Sequence, residues 1–188
     1  MEKENVIKYF LNNIFEAESA YYAWKASAFV EDEKEKERVD KIRNIHPDFF
    51  TISTRALLIM WIVLICHIDD KRKDNISLDM INKNSYKIFF ENNKDVIERI
   101  KRIRNKLFAH KSINEDKDIK IPPLEELDNF FKNLEVYYNK LNKEIRNSTA
   151  DFGNAYEYDK KLNHLYSNIE RGEKVRIDKI KKEYGIEL

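Results

Sequence analysis

Three residues near the middle of the chain have side chains suited to proton transfer and anion binding. Arg104, Asn105 and His110 lie within two helical turns of one another. The ordinary pKa of a histidine suits it to give or take a proton near neutrality. The planar guanidinium group of an arginine can hold two oxygens of an anion at once. We therefore take Arg104, Asn105 and His110 as candidate site residues.

Arg104 falls on the apolar side of the helix that this stretch would form. A projection at about 100° per residue gathers one apolar arc, roughly 140° wide, from Ile97, Ile100, Ile103, Leu107 and Phe108. Arg104 falls near the middle of this arc, and His110 falls at its edge. Because an unpaired buried charge is costly, Arg104 is expected to be paired, to serve a site, or to extend its guanidinium group to water.

The separation of Arg104 and His110 limits how one copy of the helix can use them together. Six residues correspond to about 120° of rotation, so the two side chains do not lie on one helix face. They could converge on a cleft if the helix loosens near His110, or if a second subunit supplies half of the site. Both arrangements are compatible with the sequence.

The pattern R-N-x4-H resembles the R-polar-x4-H signature of the HEPN superfamily, and here it consists of Arg104, Asn105 and His110. HEPN proteins are small all-α domains of prokaryotic toxins and defence proteins, and many are metal-independent ribonucleases. The whole chain is most similar to the abortive-infection, AbiU-type branch. It shares a long first helix, an apolar second helix that ends in Asp, and a motif helix before a Pro break.

The resemblance implies a metal-independent endoribonuclease of a toxin or phage-defence type. The 2′-OH of an RNA would attack its own phosphodiester and leave a 2′,3′-cyclic phosphate. His110 would act as general acid or base, and Arg104 would stabilise the charge of the phosphorane. Asn105 would position a phosphate or the histidine. In the resembled family the active site lies between two copies of the motif, so we expect a homodimer, and a cognate antitoxin is a possible further partner.

The basic run around the motif supplies candidate phosphate-binding residues. From Arg99 to Lys111 the sequence contains six lysines and arginines and no acidic residue. Those expected to bind RNA phosphates beside the cleaved bond are Lys101, Arg102, Lys106 and Lys111.

Two acidic residues, Asp69 and Asp70, follow the most apolar stretch of the chain. They either begin a polar loop, or one of them orients Arg104 or His110. In the alternative function, a non-catalytic dimerisation or RNA-binding module, Arg104 pairs with one of these carboxylates across the bundle. His110 is then only a residue that the helix dipole favours.

Composition places the chain among single-domain helical proteins. Its 188 residues suffice for one hydrophobic core, and three glycines and three prolines favour long helices over a β-rich fold. The net charge of +1 argues against a general polyanion binder, so the basic run is a local feature. The start of the sequence has no secretory pattern, and Cys66 is the only cysteine, so we expect a cytoplasmic protein.

Hydrophobic periodicity predicts an up-and-down helical bundle of the HEPN type. We expect one all-α domain over 1–188, with a core at about 1–148 and a C-terminal helical extension at about 154–185. The apolar stretch Ala56–Ile68 is expected to be the central helix or to face a second subunit. Its 13 residues fall below the roughly 18 that span a bilayer, so no membrane is expected.

The boundaries of the remaining helices follow from turn and cap residues. We expect a short helix after Ser77, the motif helix over 91–110, and a helix from Pro123 to about Arg146. Gly172 is expected to end the next helix.

No metal or cofactor is expected, because the four histidines are scattered and no phosphate-binding glycine loop is present. Aromatic residues at helical spacing are expected to be core rather than base-stacking groups, and these are Tyr21, Tyr22, Trp24, Tyr137 and Tyr138.

Overall fold

The chain folds into a helical bundle. The computed structural model describes residues 2–30, 32–68, 70, 76–108, 121–153 and 157–185, and these residues form no strand. The helices in chain order are α1 (Lys3–Ala28), α2 (Glu33–Ile45), α3 (Pro47–Ile68), a 3₁₀ turn (Leu78–Met80), α4 (Lys83–Asn92), α5 (Lys94–Phe108), α6 (Leu124–Arg146) and α7 (Tyr158–Tyr184). The expected all-α fold is confirmed.

Helices α1 and α6 run antiparallel through the middle of the bundle. Near the start of α1, the Tyr138 hydroxyl donates to the carbonyl oxygen of Ile7 at 3.1 Å. Near its end, the Tyr21 hydroxyl donates to Asp128 at 2.8 Å. Lys25 lies 2.7 Å from the other oxygen of the same carboxylate. The first turns of α6 are thus fixed against the last turns of α1.

Helix α3 runs antiparallel to α1. The hydroxyl of Thr54, in the first half of α3, donates to the Ser27 hydroxyl near the end of α1 at 3.4 Å. At the opposite end, the rings of His67 and Tyr9 meet edge to face, with centroids 6.0 Å apart. The start of α3 therefore lies beside the end of α1.

Helix α5 runs antiparallel to α6 and packs against α3. Arg99 pairs with Glu126 in the first turn of α6. Seven residues further along α6, the Asn133 side chain donates to that of Asn93 at 3.2 Å. The ends of α1 and α5 and the starts of α3 and α6 therefore lie at one end of the bundle, which we call the motif end.

Aromatic side chains fill the core between these helices. Tyr21 stacks on Phe131 with ring centroids 4.5 Å apart, and Trp24 and Trp61 pack beside them. Tyr137 stacks on Phe89 of α4 in the same way, at 4.7 Å. Tyr21, Trp24, Tyr137 and Tyr138 are buried, and Tyr22 is half-buried against the cluster. These aromatic residues are core, as their helical spacing predicts.

The central apolar helix is longer than the stretch Ala56–Ile68 that the sequence predicts. It begins at Pro47, in place of Ala56, because proline is well suited to the first position of a helix. At 22 residues, with a mean hydropathy of 2.1 over its most apolar 18 residues, α3 is long and apolar enough to cross a membrane. The length argument against a span was therefore wrong. Buried side chains along α3 pack into the bundle core, but only 28% of this apolar window is buried.

Two other predicted boundaries are wrong. Gly172 does not end a helix, because α7 passes through it and ends at Gly185, whose φ of 63° is the left-handed cap conformation. The segment before the motif divides at Asn93, where α4 ends and α5 begins one residue later. Asn82 caps α4 by accepting from the backbone of Ser85 at 3.1 Å, a signal that the sequence reading passed over.

Helix α7 packs against α1 and α2 and completes a second, smaller apolar cluster. The buried members of this cluster are Val39, Ile42, Phe50 and Tyr166. Arg38 of α2 strengthens the contact, since it pairs with Glu170 of α7 at 2.9 Å.

Candidate functional site

Helix α5 is held by a narrow apolar face. Ile97, Ile100 and Ile103 are buried, and Leu107 packs half-buried against the same core. The remaining positions are mostly charged, so burial of this face against α3 and α6 is what holds the helix. The predicted core positions on this helix are confirmed for these four residues, and the side chain of Phe108 lies outside the described part.

Arg104 is half-buried and turns its guanidinium group toward its neighbour. Its Nε and Nη2 donate to Oδ1 of Asn105, at 3.2 and 2.9 Å. Within the described part of the chain, no ion pair joins Arg104 to a carboxylate. The first two residues of the pattern thus form a single hydrogen-bonded unit at the surface.

The position of Arg104 along α5 explains its partial exposure. It shares the angular side of Ile97 and Ile100, as the projection predicts. Arg99 already lies opposite Glu126, and α6 begins only two residues before that glutamate. Arg104, five residues or about 7.5 Å further along, therefore projects past the start of α6. It occupies the core side of the helix at a level where α6 no longer covers that side.

The other basic residues of α5 differ in what they contact. Arg99 is occupied by Glu126, and Nζ of Lys101 lies 5.4 Å from the centre of the Phe90 ring. Arg102 and Lys106 are exposed, one turn apart. Asn105 is exposed as well. The solvent face of α5 therefore offers separate positive charges and one amide at the motif end.

Several predicted site residues lie outside the described part of the chain, namely Asp69, His110 and Lys111. Asp70 is described: its backbone N–H donates to the carbonyl oxygen of His67 at 3.2 Å, just past the last residue of α3. The structure therefore brings together Arg104, Asn105, Lys101, Arg102 and Lys106 on one helix. The roles of these residues stay predictions.

A comparison with protein families assigns the chain to one of them. The family model described as AbiU2, of the HEPN class, matches residues 3–163. The chain belongs to the AbiU2 family of HEPN proteins. The match runs from the first residue of α1 into the first turns of α7, so most of this AbiU2-family bundle is family sequence. No curated protein and no solved structure has significant similarity to the chain.

The motif end also carries a cleft that sequence reasoning missed. A depression of about 680 Å³ lies between the end of α1, α2 and the first half of α3. Arg43 and Arg55 line it, together with the hydroxyls of Thr51 and Thr54. A signal was present in the sequence, because Arg55 is the only lysine or arginine of α3 and stands directly before its apolar stretch Ala56–Ile68.

Two buried groups at the contact of α1 and α6, Glu18 and Tyr138, have raised pKa values. Glu18 is completely buried, and burial, reinforced by the neighbouring Glu135, raises its pKa to about 10. Burial likewise raises the pKa of Tyr138 to about 12, although Arg146 opposes the shift. Glu18 is therefore a neutral acid at physiological pH, and it belongs to the core rather than to the motif end.

Proposed function

We propose that this AbiU2-family protein is a metal-independent endoribonuclease that acts as a homodimer in abortive infection. The observation that carries the proposal is the placement of Arg104 on the core side of a basic helix, beyond the residues that would cover it. Because α6 does not cover Arg104, its guanidinium group stays accessible to a ligand, and membership of the HEPN class supports RNA as that ligand.

The proposed chemistry assigns one task to each motif residue. His110 takes the proton of the RNA 2′-OH or gives one to the leaving 5′-oxygen. Arg104 binds the non-bridging oxygens and stabilises the charge that develops on the phosphorane. Asn105, already bonded to the Arg104 guanidinium group, orients that group toward the phosphate. Lys101, Arg102, Lys106 and Lys111 bind neighbouring phosphates.

A homodimer would complete the site and cover apolar surface. Exposed apolar side chains follow one another at helical spacing along α3, at Phe49, Ile52, Met60 and Val63. Ile52 is 67% exposed, although it belongs to the most apolar helix of the chain. Apolar patches of this kind mark interaction surfaces. In the proposed dimer α3 and α5 form the interface, and the two motifs face each other across the two-fold axis.

The dimer is tested by light scattering at micromolar concentration. Ile52→Glu should give a monomer, because the new charge would be buried without a partner in the interface. Val136→Glu is the matched control, since Val136 is 71% exposed on α6, and this variant should stay a dimer. A wild type that is monomeric at this concentration would exclude the composite site.

The activity is tested with purified protein and single-stranded RNA in EDTA, beside His110→Ala. We expect cleavage by the wild type, with 2′,3′-cyclic phosphate ends, and none by the variant. RNA that binds but is never cleaved would support the alternative, a non-catalytic RNA-binding module. Cleavage that requires Mg²⁺, or products with 5′-phosphates, would exclude the proposed mechanism.

A further inference from the structure

The cleft at the motif end has a mixed lining. Its floor is apolar and buried, with Trp24 and Phe50 exposed by only 3% and 8%. Its rim is polar and includes the exposed side chains of Asn44, Thr51 and Arg55. Because the rings of Trp24 and Phe50 are almost wholly buried, neither of them offers a face on which a base could stack, whereas the rim offers hydrogen-bond donors. This combination suits a sugar–phosphate backbone better than a nucleobase.

The two arginines of the cleft differ in how firmly the protein holds them. Arg43 donates to the carbonyl oxygen of Ser27 and lies 3.5 Å from the Tyr166 hydroxyl. Its other terminal nitrogen lies 3.7 Å from Asp40, so its charge is partly balanced. Arg55, in contrast, has no hydrogen bond or ion pair within the described residues. Arg55 is therefore the positive charge that the cleft offers to a ligand.

The position of the cleft links it to the motif. Arg55 lies in the third turn of α3, and Arg104 lies in the last two turns of α5. These helices pack together and run antiparallel, so both residues lie at the motif end. Packed helix axes are about 8–10 Å apart, a distance that roughly two or three nucleotides cover.

We propose that this cleft binds the phosphate backbone of the RNA strand beside the cleaved bond, with Arg55 as the phosphate-binding residue. Thr51 and Asn44 donate to the same strand, while Asp40 limits its affinity by repulsion. The inference rests on the proposed ribonuclease function and adds a substrate subsite on α3. It predicts that the RNA footprint extends from α5 across the start of α3.

Binding of a labelled single-stranded RNA, measured by fluorescence anisotropy with His110→Ala protein, tests the subsite without interference from cleavage. Arg55→Gln in that background should weaken binding roughly fivefold at low salt and reduce the slope of log K against log salt by about 0.7. Asp40→Asn should tighten binding, because it removes the opposing carboxylate.

Arg171→Gln is the matched control. Arg171 is an exposed arginine of α7 whose hydrogen bonds to other described residues go to Ser167 and Asn168 of the same helix. Arg171→Gln removes one positive charge, as Arg55→Gln does, and should leave both the RNA affinity and the salt slope unchanged. Circular dichroism checks that each variant keeps its helices.

The outcomes separate the two proposals. If RNA binds and the wild type cleaves it, but Arg55→Gln behaves as Arg171→Gln does, the cleft is not a subsite and the ribonuclease proposal stands. If the His110→Ala protein binds no RNA at all, both proposals are overturned. A loss of affinity in Arg55→Gln alone, with the reduced salt slope, supports the subsite.

Discussion

Asn105 holds the guanidinium group of Arg104 through two hydrogen bonds to one oxygen, at 3.2 and 2.9 Å. The pair uses Nε and one terminal nitrogen of the arginine and leaves the other terminal nitrogen free of any described partner. The Asn105 amide can thus orient the guanidinium group of Arg104, while the other terminal nitrogen of that group remains available to a phosphate. This gives a physical reason for a polar residue directly after the arginine.

The first prediction concerns Arg104 itself. Arg104→Ala should lower RNA cleavage by roughly 10²–10³-fold, the range for removal of a donor that stabilises developing negative charge. The free energy of unfolding should change by less than about 0.5 kcal/mol, because the side chain is half exposed and its bond is local. Cleavage assays and urea denaturation measure the two effects. A large loss of stability would instead make Arg104 a structural residue.

Asn105 should matter less than Arg104 and in a different way. Asn105→Ala leaves the charge in place but removes its orienting partner, so cleavage should fall by roughly tenfold while RNA affinity stays near that of the wild type. Asn105→Asp should bind RNA more weakly, because the new carboxylate would pair with Arg104 and repel phosphate. Equal losses of cleavage and of RNA affinity in both variants would argue that the Asn105 amide does not orient Arg104.

Substitutions at His110 and Lys106 should affect different steps, the first RNA cleavage and the second RNA binding. Loss of a positioned proton donor or acceptor costs on the order of 10²–10⁴-fold, so His110→Ala should abolish cleavage even at saturating RNA. Lys106→Ala should mainly weaken binding and should recover at low salt. Single-turnover kinetics at two salt concentrations distinguish the two effects. Full activity of His110→Ala would remove the histidine from the mechanism.

Glu18 should make the folded protein less stable as the pH rises. Its pKa is raised from 4.5 to about 10 in the folded protein, so the folded state retains a proton that the unfolded state loses. Its contribution to stability is complete below pH 4.5 and is lost progressively as the pH rises through the folded pKa. Glu18→Gln should therefore raise stability by roughly 1–3 kcal/mol at pH 8–9 and by little at pH 4–5. Thermal melts across this range measure the difference, and the exposed Glu16→Gln is the control.

Two glycines, Gly172 inside α7 and Gly185 at its C-terminal cap, should respond in opposite directions to the same substitution. Gly172 lies in the helix interior, and an added Cβ would meet nothing within 4 Å, so Gly172→Ala should stabilise by roughly 0.5–1 kcal/mol. Gly185 has φ of 63°, where alanine is strained, so Gly185→Ala should destabilise. Denaturant midpoints decide the signs. Stabilisation by both changes would contradict the cap at Gly185.

The sequence predicted most strongly those features that depend on local periodicity. The apolar face of α5, the aromatic core and the end of α6 at Arg146 were all readable from helical spacing. Helix starts were harder to predict. Pro47 is a local start signal, but the residues after it are polar or mixed, so the apolar pattern alone placed the start of α3 too late. Before the motif, the short helix expected after Ser77 is a 3₁₀ turn, and α4 begins only after Asn82.

The partial exposure of Arg104 could not be read from the sequence. The projection gives the direction of a side chain but not the level at which the neighbouring helix begins, and here α6 begins too late to cover it. The cleft is a similar case, because Arg43 and Arg55 come from two different helices, α2 and α3, and the packing of these helices beside the end of α1 brings the two arginines to one depression. Gly172 was wrongly predicted to end a helix. A glycine inside a helix costs about 1 kcal/mol relative to alanine, and packing of α7 against α1 and α2 outweighs this cost.

The antiparallel ties of α1 to α6, from Ile7 to Tyr138 and from Lys25 to Asp128, join segments more than a hundred residues apart. In a growing chain, α5 therefore leaves the ribosome after α3, against which it packs, but before α6, which follows it in the sequence. Until α6 emerges, α1 lacks its antiparallel counterpart and Arg99 lacks its partner Glu126. The motif end can therefore be assembled only after α6 has left the ribosome, so the order of synthesis sets the earliest moment at which the proposed site is complete.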